Sequence, residues 1–465
     1  MKRALALVSF WLTVLMAVSG TANRSSHAEP ASLDFIVNST ADVPDVNPGN
    51  GVCETANGNG VCTLRGAIQT ANAHPGADTI VLASATYRLL RAGEDDTALN
   101  GDLDITDTVT LLGAGPTGTL IDGNGGVTSD RVFQLINGTV IISGVAILNG
   151  QSSRGGGIYN DLGALTLINS TVMSNTALGL TTAWGGGIYN RSGAALTLTH
   201  STISGNSTGS STSAYGGGIM NQGRLWLSNS LVSGNTTPGG GGGISTGYGS
   251  ATLLNSTVSG NSARNGGGIY KGNESLIVIN STISGNTSSV DGGGIDNSSG
   301  PTSLFNVTMA YNRANADNSG VGVGGGVVNG VSGTLSFINT IMALNTNVVV
   351  PGPLLFADDC AGIITSQGFN LVNAYNPAYC TVNGPFNLIH PLLGPLADNG
   401  GSTPTHALLA GSPAIDAGEL TNCTDPLGAP ITTDQRGHPR PSPGGRCDIG
   451  AFEFAYSLYL PLIEK

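Results

Sequence analysis

Charged side chains are scarce in this chain. Asp, Glu, Lys and Arg supply 10% of the 465 residues, against about 25% in average globular proteins. Lysine is nearly absent: Lys2, Lys271 and Lys465 are the whole set. With a net charge of −12, the chain carries no basic footprint for nucleic acid or an anionic membrane surface. Proline is held to 21 residues and glycine has no three-residue period, which excludes a collagen-like rod. No C-x-x-C occurs, and His27, His74, His200, His390, His406 and His438 are scattered, so no zinc spacing is present. Beyond the N-terminus no apolar run approaches the ~20 residues of a membrane-spanning helix. The stretch Leu458 to Ile463 is broken by Pro461.

Glycine, by contrast, is abundant, with 72 residues, and 39% of the chain is hydrophobic. Simple disorder does not fit that apolar content; an ordered, repetitive fold does. The repeat is visible from three marks. A Gly-Gly-Gly/Ile-Val signature starts at Gly155, Gly185, Gly216, Gly241, Gly266, Gly292 and Gly324. An Asn-Ser-Thr-like triplet starts at Asn169, His200, Asn229, Asn255, Asn280, Asn306 and Asn339. A closing asparagine follows six residues after each triplet start, at Asn175, Asn206, Asn235, Asn261, Asn286, Asn312 and Asn345. Only the segment from that asparagine to the next glycines varies in length, so insertions are confined to one corner.

Inside each unit, apolar residues alternate with Thr, Ser or Asn. Leu165 and Leu167, Leu196 and Leu198, or Leu225 and Leu227 face one way and the residue between them the other. Units of 25 to 32 residues without a helical period predict an all-β fold, one parallel β-helix of about ten coils. A β-propeller needs longer blades, ~40 to 50 residues. Glycine allows tight corners, and an asparagine recurring at one level can hydrogen-bond along the stack. Seven coils at ~4.8 Å give a rod segment of roughly 34 Å.

The N-terminus reads as a secretory signal peptide over residues 1–22, with cleavage between 20 and 28: Lys2 and Arg3, an apolar run from Ala4 to Val18, then small residues. The six cysteines form sequence-local pairs, Cys53 with Cys62, Cys360 with Cys380 and Cys423 with Cys447. Fifteen pairings are combinatorially open; short loops and an oxidising compartment favour these three. The mature chain is expected to be exported, secreted or at a bacterial cell surface, with no transmembrane segment.

Both solenoid ends need caps. Cys62-Thr63-Leu64-Arg65-Gly66-Ala67-Ile68 opens an amphipathic helix, with Leu64, Ala67, Ile68 and Ala71 on one face. Together with Asn38-Ser39-Thr40-Ala41-Asp42, Gly51-Val52-Cys53 and Gly76-Ala77-Asp78-Thr79-Ile80, this segment resembles the CSLREA domain of exported bacterial proteins. In that motif Ser and Glu form a capping box. Here Thr63 supplies the N-cap, but Gly66 stands where Glu is expected, so the reciprocal half is lost.

Leu396-Ala397-Asp398-Asn399-Gly400-Gly401-Ser402-Thr403-Pro404-Thr405-His406, Gly411 to Gly418, Asp434-Gln435-Arg436-Gly437 and Asp448 to Glu453 resemble the choice-of-anchor Q region that closes many secreted β-helix proteins. The repeats are similar to right-handed, pectin-lyase-like β-helix and polymorphic outer-membrane protein repeats. The resulting division is a CSLREA-like N-terminal cap over 33–90, repeats over 91–350, last coils and C-terminal cap over 351–454, and a tail over 455–465. The resemblance implies no common enzymatic activity.

Three groups of residues could carry function. Glu94, Asp95, Asp96, Asp102, Asp104 and Asp107 are the densest acidic group, and Asp102 and Asp104 would share a strand face as a possible Ca²⁺ site. Arg264, Lys271, Asp291, Asp296 and Arg313 lie on neighbouring coils, with Tyr270 stacked over Asp296 and Lys271 over Asn297. The aromatics Trp184, Tyr215, Tyr159, Tyr189 and Tyr270 flank the glycine marks and could form a sugar-stacking ladder or shield the coil surface.

Gly205-Asn206-Ser207-Thr208-Gly209 and Gly243-Ile244-Ser245-Thr246-Gly247 match a nucleophile-elbow pattern without entering a helix. Gly113-Ala114-Gly115-Pro116-Thr117-Gly118 matches a dinucleotide pattern but leads into a strand. Asn-x-Ser/Thr sequons follow from the repeat composition. These readings favour an exported rod with a structural, adhesive or glycan-binding role toward an extracellular polysaccharide or surface component, without a cofactor. The second reading is a polysaccharide lyase or glycoside hydrolase with its groove along the rod.

Overall fold

The fold is described from a computed structural model over residues 32–209, 213–317, 322–349, 354–419, 423–441 and 445–455. The segment read as a signal peptide and residues 456–465 of the tail lie outside the described residues.

Each repeat folds as one coil of a parallel β-helix. The residues after the glycines form short strands, Ile158–Asn160, Ile188–Asn190, Ile219–Asn221, Ile244–Thr246 and Ile269–Lys271. The Leu-Thr-Leu segments form a second series, Ala164–Ile168, Ala195–Thr199, Arg224–Ser228, Ser250–Leu254 and Leu276–Ile279. In two later coils the two strands merge into Ile295–Phe305 and Val327–Ile338. The Ser-Thr-Ile segments build a separate 12-stranded sheet running from Thr86–Arg88 to Asn387–Leu388. Pairing is in register from coil to coil, for example Leu165 with Leu196 and Leu196 with Leu225.

Alternation places one apolar side chain from each strand in the lumen. Ile158, Ile188, Ile219, Ile244, Ile269 and Ile295 stack as one file and Leu167, Leu198, Leu227 and Leu253 as another, all fully buried. Burying such a side chain contributes about 1.5–3 kcal/mol. The corners explain the other letters. Every triplet-opening residue, from Asn169 to Asn339, has φ between 46° and 53°, the left-handed region that Asn tolerates better than most residues. The second glycine of each mark is required by close approach: a Cβ on Gly217 would lie 2.6 Å from the Gly242 carbonyl oxygen.

The closing asparagines form a continuous internal ladder. Asn175, Asn206, Asn235, Asn261, Asn286, Asn312 and Asn345 are buried. Each side-chain amide donates to the next asparagine's Oδ1, for example Asn206 to Asn235 and Asn235 to Asn261 at 3.0 Å. The same Oδ1 also accepts the preceding asparagine's backbone N–H. Asp359 ends the file, its Oδ1 accepting from Asn345 Nδ2 at 2.9 Å.

At the N-terminal end, helix Leu64–Ala73 buries Leu64, Ala67, Ile68 and Ala71 in the core that also holds Ile80, Leu103 and Ile105. Thr63 accepts the Gly66 N–H at 3.0 Å. Arg65, 1% exposed, pairs with Asp42 at 2.5 Å and donates to the carbonyls of Ala98, Gly101 and Asp102. It therefore ties the cap to the first coils.

The three sequence-local cysteine pairs are disulfide-bonded, with Cα separations of 5.1, 5.6 and 6.1 Å. Within the region read as last coils and C-terminal cap, the described residues of 393–419, 423–441 and 445–454 pack on the outer face of the 12-stranded sheet, where Leu393, Leu408, Ala414, Ile449 and Phe452 cover Ala310, Ile341 and Ala343. Gln435 bonds Thr257 and Thr282, His406 bonds Ser284 at 2.8 Å, and Arg440 bonds Asn280. Tyr375 and Phe386, in the last coils, pack on the main core with rings 6.1 Å apart.

Candidate functional site

The glycine corner puts two outward-facing rows side by side along the rod. One row follows the core isoleucine of each coil: Asp104, Gln134, Tyr159, Tyr189, Met220, Ser245, Tyr270, Asp296 and Val328 are in register. The other row precedes the glycines, with Arg154, Trp184, Tyr215, Gly240 and Asn265 in register and Asp291 next, its carbonyl accepting the Gly266 N–H. Between the rows the corner glycines are close-packed, a Cβ on Gly185 falling 2.2 Å from the Ile188 carbonyl oxygen.

In the early coils these rows are aromatic and cationic. Tyr159 and Tyr189 stack with centroids 5.1 Å apart, and Trp184 meets Tyr189 edge-on at 5.8 Å. The Arg131 guanidinium lies 5.4 Å from the Tyr159 centroid, and Arg154 lies 5.2 Å from that of Trp184. The polar tips are also engaged: Tyr189 donates to Gln222, and Trp184 Nε1 donates to Ser213. The rings therefore use faces on one another and on guanidinium groups. They are not a row of free sugar-stacking platforms, and Tyr189 is only 3% exposed.

Beside this wall opens a cleft of about 470 Å³, lined by Glu94, Asp96, Arg131, Gln134, Arg154 and Tyr159 together with residues 179–182. Arg131 is held rigidly by Asp102 at 2.9 Å, Gln134 and Ser152. The Arg154 guanidinium donates no hydrogen bond to another described residue and faces the cleft.

The acidic group divides by environment. Asp95 organises its own turn by accepting the backbone N–H groups of Thr97, Leu99 and Asn100. Burial alone would raise its pKa; these bonds and the Thr97 hydroxyl outweigh it and hold it below the ordinary value. Asp102 is buried, which pushes its carboxyl well up despite the attraction of Arg131. Asp104 is pushed up to about 7, chiefly by burial, and accepts the Ala98 N–H at 2.9 Å. Asp107 bonds the backbone of Thr108.

These residues do not fit a calcium ion. Asp95 and Asp107 spend oxygens on backbone amides, and although Asp102 Oδ1 and Asp104 Oδ1 are buried without a partner, among the described residues no three carboxylate, histidine or cysteine side chains converge.

On the later coils the expected stacking of Tyr270 on Asp296 and Lys271 on Asn297 is observed. Lys271, however, faces away from the outward rows. It occupies a second internal file with Asn297 and Asn329, is fully buried, and donates Nζ to the Ser299 carbonyl. Burial lowers its pKa to about 8. Asp296 is on the outward row, 8% exposed, with its carboxyl pushed up to about 7 by burial and by the charge of Asp291. No ion pair joins Arg264, Lys271 or Arg313 to these acids among the described residues.

Sequence reasoning missed Arg131, Gln134 and Arg154. The signal for Arg154 was available, since it immediately precedes Gly155 as Trp184 precedes Gly185. Arg131 and Gln134 lie before the first glycine mark and emerge only from strand pairing.

No family model matches the chain, and no curated protein matches it. Among solved structures it is similar to the crystal structure of a pectate lyase, Pel9A, with a TM-score of 0.52 and 15% identity over 91% of this chain and 97% of that one. At this identity the likeness establishes a shared fold, a pectate-lyase-like parallel β-helix.

Proposed function

We propose that the protein is an exported β-helix rod that binds an extracellular glycan in the cleft beside its early coils. The carrying observation is the cleft of about 470 Å³ in which Arg154, Gln134, Glu94 and Asp96 supply donors and acceptors beside a rigid aromatic and guanidinium wall. Sugar hydroxyls need both donors and acceptors, and this cleft presents both. The fold shared with a pectate lyase supports a polysaccharide as the ligand class. Three disulfides with no free cysteine fit an oxidising compartment. The resemblance of both ends to CSLREA and choice-of-anchor Q segments supports export to the bacterial cell surface.

Affinity electrophoresis of the full chain through gels containing neutral or acidic polysaccharides tests this reading. We expect retardation by at least one polymer, reduced about tenfold in Arg154→Ala and in Glu94→Gln. Equal mobility in every gel would overturn it.

A further inference from the structure

We infer that the ligand is an uncharged glycan chain that continues from the cleft at Arg154 into a second, adjoining cleft; the inference rests on the glycan-binding reading above. The second cleft measures about 440 Å³, and its walls include Glu94, Ser129, Asp130, Gln151, Ser153 and Leu178. Glu94 and Ser153 stand in the walls of both clefts, so the two are neighbours. Each has the size of a small-molecule site, ~300–1,000 Å³. Two such sites side by side suit consecutive units of a chain better than one sugar.

Three local elements build the second cleft. The short helix Gly125–Thr128 ends at Ser129, where a φ of 54° turns the chain. Strand Gln151–Ser152 pairs with Thr176–Ala177 of the next coil, and the corner that follows supplies Leu178. This is the corner at which the repeat accepts insertions: Gly185 follows Asn175 by ten positions, whereas Gly266 follows Asn261 by five. The extra length puts Leu178, 43% exposed, in the wall of the second cleft and Leu180, 94% exposed, in that of the first. A single exposed leucine is ordinary. Two of them lining adjoining clefts offer apolar surface to the C–H faces of a sugar chain.

The polar groups of the second cleft are unspent. Among the described residues the side chains of Glu94, Ser129, Gln151 and Ser153 form no hydrogen bond with the protein. Between them they present hydroxyl, amide and carboxylate groups, both donors and acceptors, to the hydroxyls of a sugar. Charge then selects the class of ligand. Glu94 and Asp130 line this cleft, and no Lys, Arg or His does. The neighbouring Arg131 guanidinium is committed to Asp102, Gln134 and Ser152. A uronate or sulfated unit here would meet two carboxylates without a free counter-charge, which costs binding. A neutral unit carries no such cost.

The test runs the full chain by affinity electrophoresis through soluble glucan, mannan, xylan and galactan, with polygalacturonate as the charged comparator. The retarding polymer is then competed with its own oligosaccharides of one to six units. We expect retardation by a neutral polymer, and competition that strengthens by about tenfold or more from two units to six. Gln151→Ala and the double variant Ser129→Ala with Gln151→Ala remove only groups that bond nothing in the protein, so circular dichroism should not change. The double variant should weaken polymer binding by about tenfold and flatten the dependence on length. Arg154→Ala should weaken short and long oligosaccharides alike. Retardation that falls in Arg154→Ala but is unchanged in the double variant would overturn the second cleft and leave glycan binding standing. Competition that does not improve with length, or retardation by polygalacturonate alone, would do the same. Equal mobility in every gel would overturn both readings together.

Discussion

The inner file that begins at Asn175 and the outer row that begins at Asp104 lie in the same coils, yet they follow opposite rules. Inside, one side chain recurs at seven levels, from Asn175 to Asn345, because each amide is both donor to the next level and acceptor from the previous one. Outside, the row reads Gln134, Tyr159, Tyr189, Met220, Ser245, Tyr270, Asp296 and Val328. A buried position in a stack is constrained by identical neighbours above and below. A position on the outward row needs no identical neighbour and packs with whatever stands beside it, as Tyr189 does with Tyr159, Trp184 and Gln222. Conformity therefore marks the scaffold, and variation marks where one coil can differ from the next.

The difference can be broken first from the inside. Asn235→Ala removes bonds to the Ile203 carbonyl, to Asn261 Oδ1 and from Asn206, leaving buried partners unsatisfied. We expect a loss of about 3–5 kcal/mol in chemical denaturation. Gly217→Ala should cost somewhat less, about 2–4 kcal/mol by the same measurement. Its new methyl meets backbone oxygens of Gly242 and Thr236, both at 2.6 Å, which can yield only by opening the stack.

The outer row is expected to show itself through pH. Burial raises Asp104 to about 7 from 3.8, so the folded state holds a proton that the unfolded chain has already released. Its contribution is therefore fully present below about pH 4 and is lost as pH rises through about 7. Thermal midpoints of wild type and Asp104→Asn, measured across that window, should converge at low pH and separate by the equivalent of ~1–3 kcal/mol near neutrality, with the variant more stable there. The smallest effect belongs to a solvent-facing strand position: Thr197→Val should change stability by no more than about 0.5 kcal/mol. A large loss there would blur the contrast between buried and outward positions.

Much of the scaffold was legible in the letters. The period-two pattern assigned Leu165 and Leu167 to the lumen, where both are buried, and the recurring asparagines announced a ladder. One distinction was not legible. The triplet asparagines serve the left-handed corners and the closing asparagines serve the ladder, and composition does not separate two uses of one residue type. Alignment stacked Tyr270 over Asp296 and Lys271 over Asn297 correctly. Grouping Lys271 with the two acids failed because adjacent residues of a strand point to opposite faces, which sends Lys271 inward and Tyr270 outward.

Local periodicity and the chemistry of short segments were enough for the coil, its register, the Thr63 cap and the disulfide pairs. All of these depend on residues near in sequence or on a repeat that copies itself. Contacts between unlike segments obey no such rule. Only the folded chain places the described C-terminal segments on the flank of the sheet, where His406, Gln435 and Arg440 meet hydroxyl and amide groups more than a hundred residues away. Only the folded chain brings Arg131 against Asp102 and Tyr159. Shape and charge complementarity across such distances has no period, and a sequence read along its length does not contain it.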